Sequence, residues 1–173
     1  MGSASNFHLI CGDDYNDLSS YLEAFEKRYD VVEKTGCTFA TEAVRDHYIS
    51  ELASKNMQSG EAYKILMLWA VKGADAEDIK LGKEVLNKKY EAYVFLKRAG
   101  FRFENFRIDL KNDFDSGSDK YPDDIIEACR RLENWRPMYV PKTKTEPSSN
   151  FLQEGANEVK GNQHFVSPKH NNV

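Results

Sequence analysis

The segment 60–100 constrains this chain more than any other. Ala62-Tyr63-Lys64-Ile65-Leu66-Met67-Leu68-Trp69-Ala70-Val71 is an apolar run interrupted by a single lysine, and it leads through Lys72-Gly73 into a long stretch of helical period ending at Ala99-Gly100. A helix that is apolar nearly all round needs neighbours on every side. The run therefore predicts the most enclosed helix of the fold, starting at Ser59 and carrying Trp69 as its largest side chain. The following stretch opens on Asp75-Ala76-Glu77-Asp78, acids suited to the positive end of a helix dipole. Ile79, Leu86, Tyr90, Tyr93 and Val94 line one of its sides, and Val85, Ala92 and Leu96 widen that side. So broad an apolar face predicts more than one packing partner and a central place in the domain.

Helical spacing recurs on both flanks. Leu18, Tyr21, Leu22, Phe25, Tyr29 and Val32 form one stripe, with Asp13, Asp14 and Asn16 as N-cap candidates and Gly36 as a stop. Val44, Tyr48, Ile49 and Leu52 mark a second helix that begins near Thr38–Thr41. Pro122 suits a first helical position, and Ile125, Cys129, Leu132 and Trp135 carry a last helix. Between them the period changes. Phe101 and Phe103 alternate with Arg102, and Phe106, Ile108 and Leu110 alternate with Arg107 and Asp109. Period 2 in aromatic and β-branched residues reads as extended structure, and Phe7–Cys11 is the one evident strand partner.

The expected fold is thus mainly α: a compact bundle of about five helices over residues 7–140, allowing a small two-stranded extended element that pairs 7–11 with 101–110. Residues 1–6 read as a flexible start. Residues 141–173 are rich in Lys, Thr, Pro, Ser, Asn, Gln and Gly, a composition that cannot offset the entropy of ordering, and read as a disordered polar tail. Ser167-Pro168-Lys169 in that tail is a proline-directed phosphorylation pattern of a kind that chance produces often.

Charge and cysteine usage narrow the function classes. A net charge of −4 gives no global field toward nucleic acid or anionic lipid. Cys11, Cys37 and Cys129 are far apart and lack CxxC spacing, which suits small buried hydrophobes in a reducing compartment. No basic n-region precedes a long apolar stretch, and the run at 62–71 is half of the ~20 residues a membrane span needs. The expected address is intracellular, cytoplasm or nucleus, with no membrane partner. Gly2 is followed by Asn6 where myristoylation wants Ser or Thr, and no second anchoring signal follows.

Candidate chemistry is sparse. Asp113, Asp115 and Asp119 alternate as calcium ligands do, but counting from Asp113 puts Gly117 at position 5 and Asp124 at position 12, where an EF-hand needs Gly at 6 and Glu at 12. A solvated acidic turn is the expectation. His47, beside Asp46, would need a nucleophile such as Cys37 or Ser50 within reach. No histidine forms a metal spacing with a cysteine pair, and no phosphate-binding glycine pattern occurs. Neither a catalytic residue, a metal nor a cofactor is assigned.

Two binding readings remain. The first is a non-enzymatic protein-interaction module or adaptor, or a homodimer, with Trp69, Tyr90, Tyr93 and Trp135 as interface candidates and Tyr63 beside them; aromatic anchors of this kind dominate interfaces. The alternative is single-stranded RNA or DNA binding through Lys97, Arg98, Phe101, Arg102, Phe103, Phe106 and Arg107, where cations interleave with rings that could stack on bases. That alternative turns on whether the three phenylalanines face solvent or the core.

Overall fold

Four of the six α-helices among the described residues start on side-chain caps that the sequence itself supplies. Asp17 accepts the Ser20 amide at the head of α1 (Leu18–Lys34), and Thr41 accepts that of Val44 at the head of α2 (Glu42–Ser54). α3 (Glu61–Ala70) follows Gly60 and has no side-chain cap. Asp75 caps α4 (Ala76–Arg98) through the Asp78 amide. α5 (Glu104–Asp115) runs straight out of a short 3-10 turn, Phe101–Phe103, and Asp124 caps α6 (Ile125–Asn134) through the Glu127 amide. A second 3-10 turn, Gly12–Asp14, precedes α1. The computed structural model describes residues 10–136, all within one unit of the chain, Met1–Pro137.

Two apolar clusters hold the helices, and α4 contributes to both. The larger takes Tyr21, Phe25 and Val32 from α1, Ala92, Phe95 and Leu96 from α4, Leu110 from α5, and Ile125, Ala128, Cys129 and Leu132 from α6. The smaller is built on Ala40, Leu66, Trp69 and Leu86, with Val44, Tyr48, Ile49 and Ile79 packed against it. The wide face of α4 thus meets α3 at its N-terminal half and α6 further on, as its pattern predicts. Gly82 is what lets α3 approach: a Cβ there would stand 3.0 Å from Trp69. A row of rings then ties α1 to α5 across the front of α4. It runs from Tyr29 through Phe39, Tyr90, Tyr93 and Tyr121 to Phe114, with neighbouring centroids 4.8–6.3 Å apart.

Three expectations are corrected. The strand over 101–110 does not form, and no strand occurs among the described residues. Phe103, Arg107, Leu110 and Phe114 also fit helical spacing, and this longer register is the one the segment takes, with no strand partner among the described residues. Its cost is Ile108, left 48 % exposed. Ile10 and Cys11 are in neither strand nor helix. Next, the last helix begins after Asp124 rather than at Pro122, which is itself fully buried. Finally, α3 is not enclosed all round: Met67 and Leu68 on its outer side are exposed. Residues 1–9 and 137–173, which include Gly2, most of the expected strand at 7–11, the polar tail and Ser167, lie outside the described residues.

The junction between α4 and α5 is closed by polar groups. Gly100 takes φ 104°, open to glycine alone, and a Cβ would collide with the Asp13 carboxylate. That carboxylate accepts the Phe101 amide at 2.9 Å. Arg107 donates to the Gly100 carbonyl at 2.8 Å and the Leu96 carbonyl at 3.3 Å, capping the end of α4.

Candidate functional site

The outer face of α3 is where the sequence and the packing part company. Leu66 and Trp69 turn inward and are 0 % and 5 % exposed, whereas Met67 is 38 %, Leu68 50 % and Val71 58 % exposed. On the helical wheel Lys64, Met67, Leu68 and the following Val71 share one side, about opposite Leu66. Glu61 stands at the start of this stripe and Lys72 just past its end, both exposed. None of Glu61, Lys64 and Lys72 enters an ion pair among the described residues. Single exposed apolar side chains are ordinary, but three within five residues, two on the helix and Val71 at its C-cap, make a patch.

The stripe is rigidly backed. Trp69 seats on Gly82 of α4, and the Arg45 guanidinium of α2 lies 4.8 Å from the indole. Arg45 is 9 % exposed; it pairs with Asp46 at 2.7 Å and donates to the Trp69 carbonyl at 3.4 Å. This seating holds the inward side of α3 and fixes which side faces out.

The other interface candidates are more occupied. Trp135 is half-buried and meets Phe103 and Phe106 edge-on at 6.0 and 6.3 Å. Tyr90 is half-buried within the ring row; Tyr93, in the same row, is 40 % exposed. Tyr63 is half-buried on α3.

The basic-aromatic segment divides. Phe101 is 75 % exposed, and Lys97 and Arg102 are exposed with it. Phe103 is 6 % exposed in the larger core with Arg102 laid over its ring, and Phe106 packs against that core. Arg98 is half-buried, and Arg107 is engaged as the α4 cap. A stacking platform needs successive free rings; of these three, one is free.

The acidic segment 113–119 is split between the last turn of α5 and the loop after it, and lysines answer its carboxylates. Asp113 pairs with Lys120, Asp115 with Lys55 and Lys111, and Asp119 with Lys89 while accepting the Tyr48 hydroxyl. The Asp119 charge and burial together push the Tyr48 phenol up, burial foremost. Among the described residues no cluster of His, Cys, Asp and Glu is arranged to hold a metal. His47 and Cys37 are both exposed, and Asp46 belongs to Arg45.

An acidic cleft between α1 and α4 escaped the sequence reading. It encloses about 600 Å³ and is lined by Glu26, Tyr29, Asp30, Glu33, Glu84 and Glu91, with Lys80 and Lys88 also on its wall. The signal was present as acids at i, i+4 and i+7 on α1, although it shows only once α4 is laid beside them. Glu91 is half-buried there. Desolvation, then the charges of Glu33 and Glu26, push its carboxyl from 4.5 up to about 7.

That shift has a sign that can be tested. The folded state holds the Glu91 proton up to about 7 while the unfolded chain loses it near 4.5, so the folded form binds more protons in that window. Stability from this group is full below 4.5 and is lost as pH rises through 7. Glu91→Gln removes this loss, and solvent screening of the half-exposed group keeps the gain near about 1 kcal/mol. Urea midpoints at pH 5 and pH 8 should separate in the wild type and converge in the variant; parallel behaviour would refute the assignment.

No protein-family model matches this chain, and neither a curated protein nor a solved structure matches it. No described helix is long and apolar enough to cross a membrane.

Proposed function

We propose that this chain is a non-enzymatic protein-interaction module, an adaptor whose docking surface is the outer face of α3. One observation carries the reading: a helix apolar on nearly every side leaves Met67 and Leu68 exposed, with Val71 exposed at its C-cap. Burying the exposed half of each such side chain is worth about 1 kcal/mol. Three of them set against the several kcal/mol that association costs make a reversible contact.

Photo-crosslinking in the full-length chain tests this in cells. A benzophenone amino acid in place of Leu68 should give an adduct that Met67→Glu abolishes. The same group in place of Lys111, exposed on α5, should give none. No adduct at 68, or equal adducts at both positions, would end the reading.

A further inference from the structure

The outer stripe of α3 carries its own complement. It starts at an acid, Glu61, and runs through Met67 and Leu68; just past the helix end at Ala70 come Val71 and a base, Lys72, and both end charges are exposed and lack an ion-pair partner among the described residues. We infer that the occupant of this face is a second copy of the same chain, packed antiparallel about a two-fold axis that passes beside Met67.

An isologous contact sets residue i against residue j and j against i. With the axis near Met67, Glu61 of each copy lies opposite Lys72 of the other. Met67 and Leu68, which flank the axis on either side of the stripe, meet their symmetry mates. Glu61 then sits between its own Lys64, one turn along, and the other copy's Lys72. Lys64 lies mid-stripe, where its aliphatic stem covers apolar surface while its ammonium reaches solvent. Antiparallel packing also brings the uncapped, electropositive start of α3 to the other copy's electronegative end. A parallel arrangement would place Glu61 against Glu61 and Lys72 against Lys72. A strongly basic partner would meet Lys64 and Lys72, and a strongly acidic one would meet Glu61.

The length of α3 sets the strength. Ten residues span about 15 Å, and a contact built on one such face falls below the area of a standard stable interface. The dimer is therefore weak and concentration-dependent.

The inference rests on α3 being the docking face, and the tests of the two are separable. Sedimentation velocity on the purified full-length chain should show average mass rising from monomer toward dimer between micromolar and millimolar concentration. Leu68→Glu should abolish that rise. Glu61→Lys alone and Lys72→Glu alone should each weaken it about tenfold or more, since each places two like-charge pairs across the axis. Two restorations then identify the register: an equimolar mixture of the single variants, and the double variant Glu61→Lys/Lys72→Glu, both recover association because opposite charges face each other again. Failure of either restoration overturns the antiparallel register, and a chain that stays monomeric throughout overturns the second copy. If the 68 crosslink in cells then joins a foreign protein, or joins α3 to residues 137–173 of the same chain, the face has a different occupant. If it joins nothing, the docking reading falls as well.

Discussion

Phe95→Ala should cost about 4 kcal/mol, at least about a quarter of the stability of a domain whose total lies between about 5 and 15 kcal/mol. Phe95 is 0 % exposed and sits where α1 crosses α4. Its ring stacks on Tyr21 at 4.7 Å and takes the edge of Phe25 at 5.2 Å, and both those rings are buried to within 1 %. The Phe95 carbonyl accepts the Tyr21 hydroxyl at 2.8 Å, a backbone bond that survives the substitution. Burial drives the Tyr21 phenol pKa well above its usual value, so it stays a donor at any working pH. What the variant loses is therefore ring contact and the cavity left behind, because two aromatic rings at a helix crossing cannot close a void of that size. Urea unfolding followed by both fluorescence and far-ultraviolet circular dichroism should show the midpoint falling with the slope unchanged. A loss below about 1.5 kcal/mol would mean the site collapses freely and the ring cluster is not the keystone.

Phe95 also marks where sequence reading is blind. The stripe of α1 was fully legible, since Leu18, Tyr21, Leu22, Phe25, Tyr29 and Val32 all join the larger core. So was the breadth of α4. Phe95 itself lies between two apolar faces of that helix, and no periodic pattern singles it out among Tyr93, Val94 and Leu96. The stretch 101–110 failed for a different reason: alternation over a few residues satisfies both periods, and only a partner strand could have decided for the extended form. The outer face of α3 was legible as hydrophobic but not as exposed. A lone apolar helix predicts burial, and whether a neighbour exists on each side is a property of topology. The acidic cleft needed α1 and α4 side by side before its charges could be added, and so lay beyond any one-dimensional pattern.

Trp69→Ala should separate the two halves of the domain. Trp69 is the largest of the four side chains of the smaller cluster, and the others are Ala40, Leu66 and Leu86. Removing an indole from so small a core costs about 4 kcal/mol. The loss also strips Arg45 of the ring that lies 4.8 Å from its guanidinium, leaving a charge that is 9 % exposed to the Asp46 carboxylate and one carbonyl. The larger cluster draws on the other end of α4, from Ala92 onward, and has no residue from α2 or α3. Hydrogen exchange should therefore show α2 and α3 opening at far lower free energy than α1 and α6, with protection in the latter retained. Uniform loss of protection across all helices would show instead that α4 transmits the defect and that the domain is one cooperative unit. Leu68→Glu provides the contrast. One helical position away, it faces water and should change stability by less than about 0.5 kcal/mol. Both variants are expected to lose self-association, Trp69→Ala because α3 no longer holds its orientation and Leu68→Glu because the contact itself is charged. Only the second leaves exchange protection intact, so a dimer lost in Leu68→Glu with every helix still protected assigns the loss to the surface of α3 and not to its seating.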